Sequence, residues 1–107
     1  MLALLAFVFG FLQSEAVRKD PVATLKWQDT ENPKGTTYDA YRMTGPCPSQ
    51  QPQSTAGFTK LNTAAIDGKT FRDRTVKGKE TYCYVVTAAP KDGAQSLPSN
   101  DAQIVIP

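Results

Sequence analysis

Residues 76–88 read VKGKETYCYVVTA, and this stretch decides the fold. A polar turn containing Gly78 runs directly into a segment with a period of two. Tyr82, Tyr84, Val86 and Ala88 fall on one face, and Cys83, Val85 and Thr87 on the other. Alternation of this kind predicts a strand over Thr81 to Ala89. An aromatic at the start of such a strand, six residues after the apolar Val76, has the spacing of a tyrosine corner in a β-sandwich. A cysteine inside the strand raises the prospect of a disulfide.

Working outward, the rest of the chain repeats the pattern in shorter pieces. Ala23, Leu25 and Trp27 alternate with Thr24 and Lys26, which predicts a strand with Trp27 in the core. Residues 28–36 (QDTENPKGT) are turn formers. Thr37 to Met43 is the next strand, with Tyr38 and Ala40 on one face and Asp39, Tyr41 and Met43 on the other. Residues 44–57 (TGPCPSQQPQSTAG) form a long polar loop that holds Cys47. Short strands follow at Phe58 to Leu61 and at Thr70 to Asp73, with Phe71 inward. Residues 90–100 (PKDGAQSLPSN) contain the hairpin signal Asp92-Gly93. Gln103 to Ile106 makes the last strand. No segment has sustained helical periodicity, so the expected class is all-β, a sandwich built from short strands and turns.

Composition removes whole classes of function. The chain has 107 residues, which fits one domain, and a net charge of +2 from scattered Lys and Arg. No basic stripe marks a nucleic-acid partner. The chain contains no histidine. That removes the commonest general base, the commonest metal ligand and every Ser-His or Cys-His pair. Two cysteines without histidine cannot complete a structural zinc site. The carboxylates Asp29, Glu31, Asp39, Asp67, Asp73, Glu80, Asp92 and Asp101 are dispersed along the chain. Asp67, Asp73 and Asp92 read as turn residues. The chain is therefore expected to be no enzyme, with no catalytic residue, no metal and no cofactor.

The N-terminus carries an eleven-residue apolar run, LALLAFVFGFL at residues 2–12. It is too short for a membrane-spanning helix, which needs about 20 residues. Its length matches a secretory h-region, and Ser14-Glu15-Ala16 supplies the small residues of a cleavage site. The expected division is a secretory signal peptide at 1–16 and a domain at 17–107. No Lys or Arg precedes the run, which departs from the usual signal pattern. The run shows neither a period of 2 nor one of 3.6. The rival reading makes it a strand or helix of the domain, or a retained assembly segment.

In order and spacing these residues resemble the fibronectin type III (Fn3) family. Leu25-x-Trp27 is similar to the second strand with its core tryptophan, and Tyr38-Asp39-Ala40-Tyr41-Arg42 to the third strand of bacterial members. Phe58 to Leu61, Thr70-Phe71-x-Asp73, Val76-x5-Tyr82 and Val105-Ile106-Pro107 are similar to the later strands and the corner. Ala40 stands where the family has a larger apolar residue, and Gly78 is shifted by one from its usual place. The resemblance implies an immunoglobulin-like β-sandwich of about seven antiparallel strands in two sheets. It also implies that Cys83 faces outward on the sheet containing the third strand, within reach of Cys47. In an exported protein the two are expected to form a disulfide. Tyr41, Met43 and Val85 would then share the outer face as candidate partner contacts, unless Arg42, Lys60 or the 44–57 loop covers them.

The function implied is a non-enzymatic binding or spacer module, secreted, periplasmic or at the cell surface. It would recognise a protein or glycan through a sheet face, the 44–57 loop and the 90–100 turn. No nucleic acid and no stable membrane span is expected. The alternative is a structural subunit of a filament or virion that keeps the N-terminal apolar segment. No Arg-Gly-Asp and no Asn-x-Ser/Thr sequon is present.

Overall fold

The computed structural model of the chain describes residues 2–9 and 20–107, with the side chains of Phe7, Val8 and Phe9 excepted. The expected cleavage site at Ser14-Glu15-Ala16 lies outside the described residues. Seven strands form two antiparallel sheets: β1 (Leu2–Phe9), β2 (Val22–Asp29), β3 (Thr37–Thr44), β4 (Thr59–Lys60), β5 (Thr70–Asp73), β6 (Thr81–Ala89) and β7 (Ala102–Val105). One sheet has the order β1-β2-β5 and the other β4-β3-β6-β7. The described residues contain no helix long and apolar enough to cross a membrane.

The period-two faces meet between the sheets as expected. Ala23, Leu25 and Trp27 from β2 pack with Tyr38 and Ala40 from β3 and with Tyr82, Tyr84, Val86 and Ala88 from β6. Trp27 and Tyr38 stack tilted, with ring centroids 5.5 Å apart. Ile104 and Ile106 close one side. Ala40 has no room for a larger side chain at 0% exposure, and its amide N–H donates to Asn62 Oδ1 at 2.9 Å. Beyond the two-residue β4, the buried Asn62 side chain thus continues the hydrogen bonding of β3.

The first part of the apolar run takes a place in the sandwich, as the rival reading has it. Leu2 to Phe9 pairs residue for residue with β2, from Leu2↔Asp29 to Phe9↔Val22. Leu4 is buried in the core, Leu2 and Ala6 pack against it, and Leu5 points outward at 68% exposure. Sequence periodicity could not reveal this, because a run without polar residues offers no contrast between its two faces.

The corner forms as the spacing predicts. The Lys77 N–H donates to the Tyr82 hydroxyl at 3.0 Å, five residues apart, while Val76 is buried. The left-handed position belongs to Lys79, at φ 66°, and not to Gly78. At Gly78 the backbone passes close to the chain's last residue: a Cβ there would approach the Pro107 carbonyl to 3.3 Å, a tight contact. A non-glycine residue in the left-handed region carries strain of roughly 1 kcal/mol. Lys79→Gly is expected to raise stability by about 0.5–1 kcal/mol in urea unfolding, with the Lys79 N–H bond to Ile106 O retained.

Asp73 makes the expected turn contact, accepting from the Thr75 N–H two residues on, and is also buried at 3% exposure at the end of β5 between the sheets. Its Oδ2 accepts from Arg42 Nη1 and from the Tyr84 hydroxyl, each at 2.8 Å. Its Oδ1 accepts from the Thr75 backbone N–H at 3.0 Å and the Thr75 hydroxyl at 2.6 Å. Arg42 shares the inward face with Tyr38 and Ala40, and its guanidinium lies 4.7 Å from the Tyr82 ring centroid. It therefore does not cover the outer patch.

Burial alone would raise the Asp73 pKa, but the bonds from Thr75, Tyr84 and Arg42 more than offset it and hold the carboxyl below its ordinary 3.8. Asp29 is also held low against burial, by Asn32, the Glu31 backbone and Tyr38. The unfolded chain thus binds protons first as pH falls. Stability should be constant near neutrality and decline below about pH 5. Burial and then the Asp29 contact push Tyr38 up to about 12, and burial followed by the Asp73 charge pushes Tyr84 up. The unfolded chain therefore loses tyrosine protons first, and stability should fall again above about pH 10. Tm measured across pH checks both limbs.

Candidate interaction surface

The outer face of the β4-β3-β6-β7 sheet is where sequence placed the contact residues. Tyr41 and Met43 lie there, half-buried, opposite Val85 and Cys83 respectively. Val85 is fully buried, as is Cys83, and Thr87 is 2% exposed. Along β6 this face is therefore covered, one of the two outcomes open for it, and Val85 supports the surface from beneath without presenting itself to a partner.

What covers it is the polar loop after β3. Cys47 is joined to Cys83 by the expected disulfide, with Cα atoms 4.9 Å apart. The Cys47 N–H donates to Gln103 Oε1 on β7 at 2.8 Å. Further along, Gln51 Nε2 donates to the Ser99 carbonyl at 2.6 Å, and its Oε1 accepts from the Asp101 N–H at 3.3 Å. The loop thus leaves β3, crosses over β6 and is fastened to β7 and the segment before it, then returns to β4 on the far edge. It is a strap on the sheet and not a free projection.

The segment after β6 is also held close. Ser96 and Ser99 donate their backbone N–H groups to Ala88 and Val86 carbonyls, both at 2.8 Å. Their hydroxyls accept from the Ala88 and Val86 N–H groups, both at 2.9 Å. Side-chain oxygens here take the place of ladder carbonyls in a stretch where Pro98 cannot donate. Gln95 Nε2 donates to Thr87 Oγ1 at 2.6 Å and to the Tyr41 hydroxyl at 3.4 Å.

Between the strap and this segment lies a groove of about 630 Å³, whose lining includes Gln51, Pro52, Gln53, Leu97, Asn32 and Leu2. Leu97 is 69% exposed. The sequence reading named the 90–100 turn as a contact region but did not single out this residue. Its signal was available: one large apolar side chain in an otherwise polar turn. Tyr41 is reached from the same turn by Gln95 but does not line this groove.

Little in the described residues is arranged for chemistry. Cys47, Cys83 and Asp101 bring ligand atoms within 4.8 Å of one another. Both sulfurs are committed to the disulfide and offer no thiolate. Asp73 is engaged in its ion pair, and Asp39 accepts from Asn62 and lies 3.5 Å from Lys60 Nζ.

No known family and no curated protein matches the sequence. Solved structures do. A pectate lyase PelI from Erwinia chrysanthemi, determined with tetragalacturonic acid, superposes with a TM-score of 0.61 at 21% identity, over 95% of this chain and 27% of that one. An Fn3-like protein from Clostridium thermocellum gives 0.55 at 24% identity, over 80% of this chain and 77% of that one. The twitchin kinase region of C. elegans gives 0.57 at 18%, over 82% of this chain and 14% of that one. The chain thus spans only a small part of the lyase and twitchin chains. With seven strands in sheets of three and four, and a hydrogen-bonded tyrosine corner, the fold is fibronectin type III-like.

Proposed function

We propose that the protein is an exported, non-enzymatic binding or spacer module that contacts a protein or glycan through the strap-side surface. The observation that carries this reading is Leu97, 69% exposed in a groove walled by amide side chains. An exposed apolar side chain in a concave, polar-rimmed setting is the form of a contact hot spot. The disulfide and the signal-like leader support export. The histidine-free composition and the dispersed carboxylates support a role without catalysis.

The test is capture of surface proteins and glycans from the native cell by the purified full chain. Leu97→Asp should weaken capture at least tenfold, which is the size of a hot-spot loss. Its folding stability should stay within about 0.5 kcal/mol, because the side chain is exposed. Capture that is equal for the wild type and for both Leu97→Asp and Tyr41→Ala would overturn the assignment of this surface. One observation favours a second reading, a filament or virion subunit that retains its apolar segment: Leu2 to Phe9 is a strand of the sandwich. The mass of the exported product distinguishes the two, since that reading requires an intact Met1.

A further inference from the structure

One segment has two mutually exclusive uses. Residues 2–12 have the form of an export signal, and Leu2 to Phe9 also fills an edge position of the β1-β2-β5 sheet. The fit is specific at three levels. β1 pairs with the whole of β2, whereas β5 pairs only with Ala23 to Lys26 on the other side. Leu4 is 4% exposed within the core. The Asn100 side chain holds Leu4 on both sides: Oδ1 accepts its N–H at 3.0 Å, and Nδ2 donates to its carbonyl at 3.3 Å. Asn100 precedes β7, so this clamp ties β1 across to the opposite sheet, and β1 packs against β6 and β7 as well.

Export cleavage would hydrolyse the Ala16–Val17 bond through a peptidase of the export machinery, with water leaving a carboxylate on Ala16 and an amine on Val17. The remaining domain would have an open β2 edge, a vacated Leu4 position and an Asn100 amide without its backbone partners. Unpaired edge backbone beside an apolar cleft is a template for strand addition. We infer that the processed domain is a strand acceptor: the slot left by β1 takes an extended apolar strand donated by another polypeptide, antiparallel to β2. The occupant is specified by β1 itself, with alternate inward residues of the size of Leu2, Leu4 and Ala6, and a backbone amide for Asn100 to clamp. This inference rests on the exported reading, and its slot meets the Leu97 groove at Leu2 and Asn100.

The experiment exports the full chain from a bacterial host and measures the mass of the product. A start at Val17 is expected; an intact Met1 means that the slot is never vacated and overturns the inference. The product is then titrated with a synthetic peptide of residues 2–9 carrying a lysine tail. The expected results are one-to-one binding, a raised Tm and no binding by the same peptide with Leu4→Asp. Asn100→Ala in the domain should weaken binding roughly tenfold, the loss of two hydrogen bonds. No binding, or equal binding of the Leu4→Asp peptide, overturns the inference. If the processed chain does not accumulate, the octet is appended after Pro107 through a flexible linker. Accumulation with the wild-type octet alone supports the slot, and accumulation with both octets or with neither overturns it. Tyr41→Ala, on the outer face of the other sheet and outside the slot, should leave peptide binding unchanged, which separates this site from the Tyr41 surface.

Discussion

Asp73→Ala is expected to cost about 3 kcal/mol of folding stability, the low end of the range for removing one partner of a buried ion pair, because Arg42 keeps 21% of its side chain exposed. The carboxylate is 3% exposed and accepts four hydrogen bonds, from Arg42, Tyr84 and, twice, Thr75. Its removal leaves the Arg42 guanidinium without its counter-charge and the Tyr84 hydroxyl buried without an acceptor. Tyr84 itself has no exposed surface, so that hydroxyl cannot turn to water. Tyr84→Phe removes one bond and no charge, and should cost only about 1 kcal/mol. Urea unfolding can be followed through the single tryptophan, Trp27, which lies in the same core. Asp73→Asn keeps the shape but cannot ionise, so it should also flatten the acid limb of the Tm profile. A loss under about 1 kcal/mol for Asp73→Ala would mean that the cluster is not the link between the sheets that its bonds imply.

The same residue shows what sequence could and could not convey. Its turn role, through the Thr75 N–H, was legible, but its place in the interior beside Phe71 was not. Its burial depends on the approach of Arg42 and Tyr84 from the other sheet, and that approach is a tertiary fact. Faces with polar-apolar contrast were legible: Ala23, Leu25 and Trp27 on β2, Tyr38 and Ala40 on β3, and Tyr82 to Ala88 on β6 all lie where the period of two puts them. β1 was not legible, because leucines on both faces of an edge strand look the same as an export signal. Val85 lies outward as its alternation predicts, and of the two outcomes open for that face, an exposed patch or one under the 44–57 loop, the folded chain takes the second. The order Cys47-Cys83 allowed that loop to be tied down without indicating that Gln51 and Gln103 would carry it across the sheet. Leu97 required an open groove beside it before its exposure had meaning.

Replacing both cysteines, Cys47→Ala with Cys83→Ala, is expected to cost about 4 kcal/mol, the loop-closure entropy restored to the unfolded chain. The estimate uses the 36-residue separation of the pair. Alanine is the appropriate replacement because Cys83 has no exposed surface, and a serine hydroxyl there would be buried without a designed partner. The loss should not be spread evenly over the molecule. Without the bond, the strap is held by Gln103 on the Cys47 N–H and by Gln51 on Ser99 and Asp101. Each such bond contributes only about 1 kcal/mol net, too little to hold a chain segment whose ordering costs about as much per residue. The strap should therefore loosen before the sandwich unfolds. Hydrogen exchange should then speed up first at the Cys47 and Asp101 amides, while the Leu25 and Val86 amides keep the protection of the global fold. Reduction of the wild-type protein should reproduce this pattern, and thiol titration of the unreduced protein should find no free thiol. Uniform loss of protection across both sheets would show that the strap is part of the cooperative fold and not a separate layer upon it. Binding through Leu97 should weaken in the first case in proportion to strap opening, because Gln51, Pro52 and Gln53 form one wall of its groove.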